Sequence, residues 1–168
     1  MEFNTAVKAE LLEKLSAQFP DAEFTTEEFA GEISLIFHKK HIAAVAAFLK
    51  DDPSFQFLIC EDITAIDWAT RKHRFMMVYI LYSMKLSERI KLKCTVEEDD
   101  QTIDSVASVW KSANWSERET YDMYGITFNN HPDHRRMYMP EEFEYHPLRK
   151  DYPLMGIPGD LPLPKKSE

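Results

Sequence analysis

Cysteine is scarce in this 168-residue chain. Cys60 and Cys94 are the only two, and no Cys-x-x-Cys pair exists. A cysteine-ligated iron–sulfur cluster and a structural zinc site are therefore without support. Both thiols lie in apolar, strand-like stretches, where a reduced cysteine packs as a small hydrophobe. Glycine is scarce too, at four residues, and there is no P-loop, no G-x-G-x-x-G and no G-x-S-x-G. That counts against nucleotide cradles and a nucleophile elbow. Positive charge is in deficit: the formal net charge is −9. That argues against a general nucleic-acid binder and against charge-driven binding to anionic lipid. No apolar run approaches the ~20 residues that span a bilayer; the longest candidates are Phe75–Tyr82 and Ile42–Leu49. Around Glu2 there is no basic-then-apolar leader. The expectation is a soluble, cytoplasmic chain that meets a membrane only through a partner.

Hydrophobic residues make up 44% and charged residues 29%, a balance that supports a packed core. Val7, Leu11, Leu12, Leu15 and Phe19 recur at helical spacing, so Asn4–Phe19 reads as a helix stopped by Pro20. In "EISLIF", Ile33, Leu35 and Phe37 alternate onto one strand face, and Gly31 suits a hairpin from a strand near Glu23–Glu28. "HIAAVAAFLK" reads as a second helix with Ile42, Val45, Ala46 and Leu49 inward. Three strand-like runs follow: "FQFLICED", "HRFMMVYILYSM" and "RIKLKCTV". In the third, Ile90, Leu92, Cys94 and Val96 alternate against Arg89, Lys91, Lys93 and Thr95, as in an antiparallel sheet covered on one side. A helix is expected near Ile103–Trp110. Another is expected from the capping box Ser116-x-x-Glu119 to Tyr124, with Gly125 as its stop.

The expected fold class is α+β: a mostly antiparallel sheet with helices packed on one face, in the order α-β-β-α-β-β-β-α-α. Seven of the nine prolines lie beyond His131. Proline removes amide donors and favours extended backbone. Residues 1–128 thus read as a core domain and residues 129–168 as an extended tail.

The densest chemistry lies in "ERETYDMYGITFNNHPDHRRMYMP", Glu117 to Pro140. A metal site on His131, Asp133 and His134 is one reading, but Pro132 breaks the helical register and H-E-x-x-H is absent. Glu117 and Glu119 are two apart on a helix and point to different sides, which counts against an acid–base pair. Docking is the other reading. Arg118 and Asp122 have the spacing of a local ion pair. Arg135, Arg136, Arg149 and Lys150 lie on extended backbone, where cations can reach carboxylates of another surface. Tyrosines and Met137, Met139 and Met155 interleave with them, types common at interfaces. A solvated polar tail has the same composition.

This stretch resembles the signature of the thirty-kilodalton subunit of proton-pumping NADH–quinone oxidoreductase, respiratory complex I. The matching positions are Glu117, Arg118, Glu119, Asp122, Met123, Tyr124 and His131, then "HPDHRR" and, from His146 to Pro153, "HPLRKDYP". Asn130 and Tyr145 stand where the family usually has Gly, and His134 where it usually has Leu. The resemblance implies a scaffold that binds no cofactor itself. FMN, iron–sulfur clusters and quinone would belong to neighbouring chains of the complex. It implies that the tail wraps the quinone-site subunit, beside other peripheral-arm subunits on the cytoplasmic face of the cell membrane. Interface residues would be Glu117, Arg118, Glu119, Asp122, His131, Asp133, Arg135, Arg136, His146, Arg149, Lys150 and Asp151. An equivalent component of a ferredoxin-fed or hydrogenase-linked relative shares this pattern, and a stand-alone metalloenzyme on His131 and His134 is the rival of another class.

Overall fold

The computed structural model describes residues 5–69 and 72–153. Met155 and the rest of the expected tail beyond Pro153 lie outside that range. The first helix, α1, spans Thr5–Gln18 and buries Leu11 and Leu15. Strands β1 (Thr25–Phe29) and β2 (Glu32–Ile36) form a hairpin. Its turn is Ala30–Gly31, both with positive φ (53° and 79°), the handedness that matches strand twist in a two-residue turn. Helix α2 (Ile42–Asp51) buries Ile42, Val45, Ala46 and Leu49, the stripe its periodicity predicts.

Strands β3 (Ile59–Asp67), β4 (Phe75–Ser83) and β5 (Glu88–Val96) complete a five-stranded sheet in the order β1-β2-β5-β4-β3. The β2–β5 pair is parallel and the others are antiparallel. Ile33, Leu35, Tyr79, Leu81, Ile90, Leu92 and Cys94 line the inner face and share one core with α1 and α2. The outer face carries cross-strand ion pairs instead, Glu27–Lys93 at 2.8 Å and Glu61–Arg89 at 2.6 Å. Helix α3 (Ala113–Tyr124) lies along β3. Its Ser112 cap donates a hydroxyl hydrogen bond to the Cys60 carbonyl at 3.0 Å, and the Thr120 hydroxyl, shared between Ser116 O at 2.8 Å and Ile63 O at 3.2 Å, lies against the same strand, which covers an otherwise open edge.

Three expectations are corrected. The strand expected to begin at Phe55 begins at Ile59. The amides of Phe55, Gln56 and Phe57 bond instead to the carbonyls of Asp52, Asp52 and Leu49, closing the end of α2. The helix expected at Ile103–Trp110 is a short strand, β6 (Thr102–Asp104), followed by a single turn. Its apolar spacing is real: Ile103, Val106 and Trp110 are buried. The helix does not form there because residues 102–104 pair as a strand with Thr127–Asn129 and the Ser105 amide bonds to the Asn129 carbonyl at 2.9 Å, while Glu117 takes the Val106 amide. Finally, α3 starts at Ala113, so Ser116 lies inside it; Glu119 is exposed and closes no capping box. Gly125 does end the helix, in the left-handed conformation. Strand β7 (Thr127–Asn129) then pairs parallel with β6.

Candidate functional site

Helix α3 is short and carries four charged residues, three of which are buried. Glu117, Arg118 and Asp122 point inward, and each binds a piece of irregular backbone. Glu117 is wholly buried. Its carboxylate accepts from the Ser105 hydroxyl at 2.5 Å and the Val106 amide at 2.7 Å, pinning the turn after β6. Burial pushes its pKa up to about 7, outweighing those two hydrogen bonds. His131 Nε2 lies 3.7 Å away. That nitrogen donates to the Asn114 carbonyl at 3.1 Å, while Nδ1 accepts from the Asp133 amide at 3.0 Å. Burial, with Arg118 nearby, holds the His131 pKa below its ordinary value, so the ring is a neutral bridge between α3 and the chain after β7.

Arg118 reaches the same segment. Its Nε and Nη2 donate to the carbonyls of Arg135 and Arg136 at 3.1 and 3.2 Å, and its guanidinium stacks on Trp115. The local pairing of Arg118 with Asp122 that their spacing suggests is not made. Asp122 instead accepts three successive amides on Oδ2: Met137 at 3.0 Å, Tyr138 at 2.6 Å and Met139 at 2.9 Å. Its Oδ1 accepts from Arg136 Nη1 at 2.7 Å. Burial alone would raise the Asp122 pKa. The three amides and the guanidinium outweigh it and hold the carboxyl below its ordinary value. Asp133 and Arg135 form a paired fork at 2.6 and 2.8 Å near the surface.

The end of α3 is closed by the second motif. A helix leaves its last four carbonyls without intrahelical partners. Here Tyr121 O accepts from the Gly125 amide (2.8 Å), Asp122 O from His146 Nδ1 (3.0 Å), Met123 O from the Leu148 amide (3.1 Å) and Tyr124 O from Arg149 Nε (2.6 Å). The Arg149 cation at a helix C-terminus also opposes its negative dipole end. Gly125 is needed for space as well as for φ: a Cβ there would lie 2.6 Å from the His146 ring and 2.7 Å from Arg149. Arg149 is therefore not free to cross to another surface, as its extended backbone suggests. It also donates to Gln101 and lies over the Phe75 ring at 5.3 Å.

A last latch was not visible from motifs. Arg74 is buried and pairs with Asp67 (3.1 Å), Glu98 and Asp151 (2.8 Å); Asp67 also accepts from the Lys150 amide at 2.8 Å. The signal in the sequence was an acid and a base at the two ends of the loop joining β3 to β4. Lys150, Glu119 and Arg135 keep exposed side chains. His134 Nε2 accepts the Phe128 amide at 3.1 Å and its ring packs on Tyr121. The metal reading of His131 and His134 thus loses its donors to backbone, and among the described residues no three His, Cys, Asp or Glu groups converge on a metal position.

Residues 35–158 match the model of the respiratory-chain NADH dehydrogenase 30 Kd subunit family. The chain is 45% identical to an NADH-quinone oxidoreductase component of Geotalea uraniireducens over 85% of its length and 86% of the relative. It is 44% identical to the equivalent NADH-quinone oxidoreductase component of Geobacter metallireducens over 96% and 95%. Among solved structures, a trypsin-resistant fragment of Nqo5 superimposes with TM-score 0.62 at 29% identity, covering 74% of this chain and 97% of that one. A chain of an archaeal membrane-bound sulfane sulfur reductase shares the fold, with TM-score 0.71 at 19% identity over 88% and 86%. The chain belongs to the 30 Kd subunit family of respiratory-chain NADH dehydrogenase, whose curated relatives are subunits of an oxidoreductase complex.

Proposed function

We propose, from that membership, that this chain is a cofactor-free scaffold of the peripheral arm of a proton-translocating NADH–quinone oxidoreductase. It holds the subunit that forms the quinone site, while NADH, FMN, iron–sulfur clusters and quinone are handled by neighbouring chains. It sits on the cytoplasmic face of the cell membrane without spanning it; among the described residues no helix is long and apolar enough to cross a bilayer.

One observation carries the reading. The buried charges of the family signature bind the chain's own backbone: Glu117 fixes the turn at Ser105 and Val106, while Arg118 and Asp122 fix the chain from Arg135 to Met139. Side chains committed to amides and carbonyls are poor candidates for turnover and good ones for setting a rigid contour. Residues 129–168 supply the contact with the quinone-site subunit, and residues 1–128 give that segment its platform. The outward groups available for contact include Trp115, Tyr138, Arg135 and Glu119. Trp, Tyr and Arg are the types that dominate binding energy at interfaces.

Co-expression with a tagged quinone-site subunit tests this. The expected result is equimolar co-purification, with no visible absorbance from this chain when purified alone. A chain that ignores the quinone-site subunit, or that carries one tightly bound zinc or iron, would overturn the scaffold reading.

A further inference from the structure

We propose that the cleft lined by Tyr145, Tyr152, Glu144 and Asp151 receives one basic side chain, a lysine or arginine, from a neighbouring subunit. The proposal rests on the scaffold reading and gives the chemistry of one contact within it.

The cleft has a volume of about 380 Å3, enough for one long side chain. Its walls are aromatic. The Tyr145 and Tyr152 rings lie 6.3 Å apart, inclined at 59°, with Phe143 behind them at 5.6 and 6.4 Å. Ring faces attract a cation within about 6 Å of their centroids. This cluster already holds one, since the Arg136 guanidinium sits 6.0 Å over Phe143. Tyr145 is 38% exposed, so one wall is open to an incoming group.

The rim is acidic. Glu144 is exposed and, among the described residues, in no ion pair. Asp151, also at the rim, is one of three carboxylates around the single guanidinium of Arg74. Arg149 lines the cleft with the opposite sign, but its Nε and Nη2 are held by Tyr124 O and Gln101. Burial keeps the His146 pKa below its ordinary value, so that ring adds no positive charge at neutral pH. Locally, four cations, Arg74, Arg136, Arg149 and Lys150, stand against five carboxylates, Asp67, Glu98, Asp122, Glu144 and Asp151, which leaves one negative charge in surplus. An aromatic wall with an acidic rim and surplus negative charge fits a cation and disfavours a carboxylate or a phosphate.

The test is the dissociation constant between this subunit and the remainder of the complex, measured for the unaltered chain and for variants. Tyr145→Leu with Tyr152→Leu removes the ring faces, and association should weaken roughly tenfold. Tyr145→Phe with Tyr152→Phe keeps the faces and should stay within about twofold of the unaltered chain. Glu144→Lys, on an exposed residue that makes no hydrogen bond or ion pair among the described residues, should also weaken association roughly tenfold, less so as salt is raised. It decides the matter even if the leucine pair fails to fold. Unchanged association for Glu144→Lys, or equal damage from the phenylalanine and leucine pairs, would overturn the proposal and leave the scaffold reading standing. Failure of the unaltered chain to associate would overturn both.

Discussion

Asp122→Ala is expected to lower the unfolding free energy by about 3–5 kcal/mol, the usual cost of removing one member of a buried ion pair. Three amides, Met137, Tyr138 and Met139, lose their acceptor, and the Arg136 guanidinium loses the carboxylate it pairs with. For a domain of this size that amounts to a fall in Tm on the order of 10 °C. Asp122→Asn keeps an oxygen acceptor but no charge and should cost less, about 1–3 kcal/mol. The loss should be local first. Residues 130–153 should become sensitive to protease while the amides of β5 stay protected against hydrogen exchange, because β5 is the middle strand of the sheet. A measured loss below about 1 kcal/mol for the alanine variant would show that Asp122 does not organise the segment.

Glu117→Gln is expected to act through pH. Folding raises the Glu117 pKa from 4.5 to about 7. The folded chain therefore holds this proton more tightly than the unfolded one. That stabilising contribution is full below pH about 4.5 and is lost as pH rises through about 7. The loss across this window is about 3 kcal/mol. Glutamine keeps one acceptor oxygen for the Val106 amide, turns its NH2 toward the Ser105 hydroxyl, which can rotate to accept, and does not titrate, so the variant should gain on the native chain steadily from about pH 5 to about pH 8. His131, His134 and His146 have depressed pKa values and pull the other way, favouring the fold as pH rises toward 6.5. Asp67 and Asp122, also depressed, contribute stability that is lost only in stronger acid. The difference between variant and native chain removes most of these common contributions. A difference that stays flat across that range would mean that Glu117 is ionised throughout and well solvated.

The core was legible because its signals are periodic. Alternation in Ile90–Val96 and the stripe of Ile42–Leu49 are each decided within ten residues, and burial follows them closely. Gly125 was legible because a left-handed C-cap needs glycine. The errors have a common cause. At Phe55–Phe57 and Ile103–Trp110 the apolar pattern was right about burial and silent about hydrogen bonding, which α2, β7 and Glu117 decide from elsewhere in the chain. The signature was legible as a family mark, while its physical use was not. Charges read as reaching outward turn inward, because Asp122 meets amides fifteen to seventeen residues on and Arg149 meets a carbonyl twenty-five residues back. No local spacing encodes that. After β7, residues 130–153 are irregular backbone, and the packing continues into them through Arg118, Asp122 and Arg149.

The central claim is that the signature side chains set the shape of this protein and take no part in turnover. Quinone-reductase turnover per assembled complex, measured for Arg149→Ala, tests it most directly. Arg149 closes the end of α3, so the variant should reduce the stability of the chain and the yield of complex. Each complex that does assemble should turn over at the native rate. Normal assembly with collapsed turnover per complex would contradict the account and move this arginine into the mechanism.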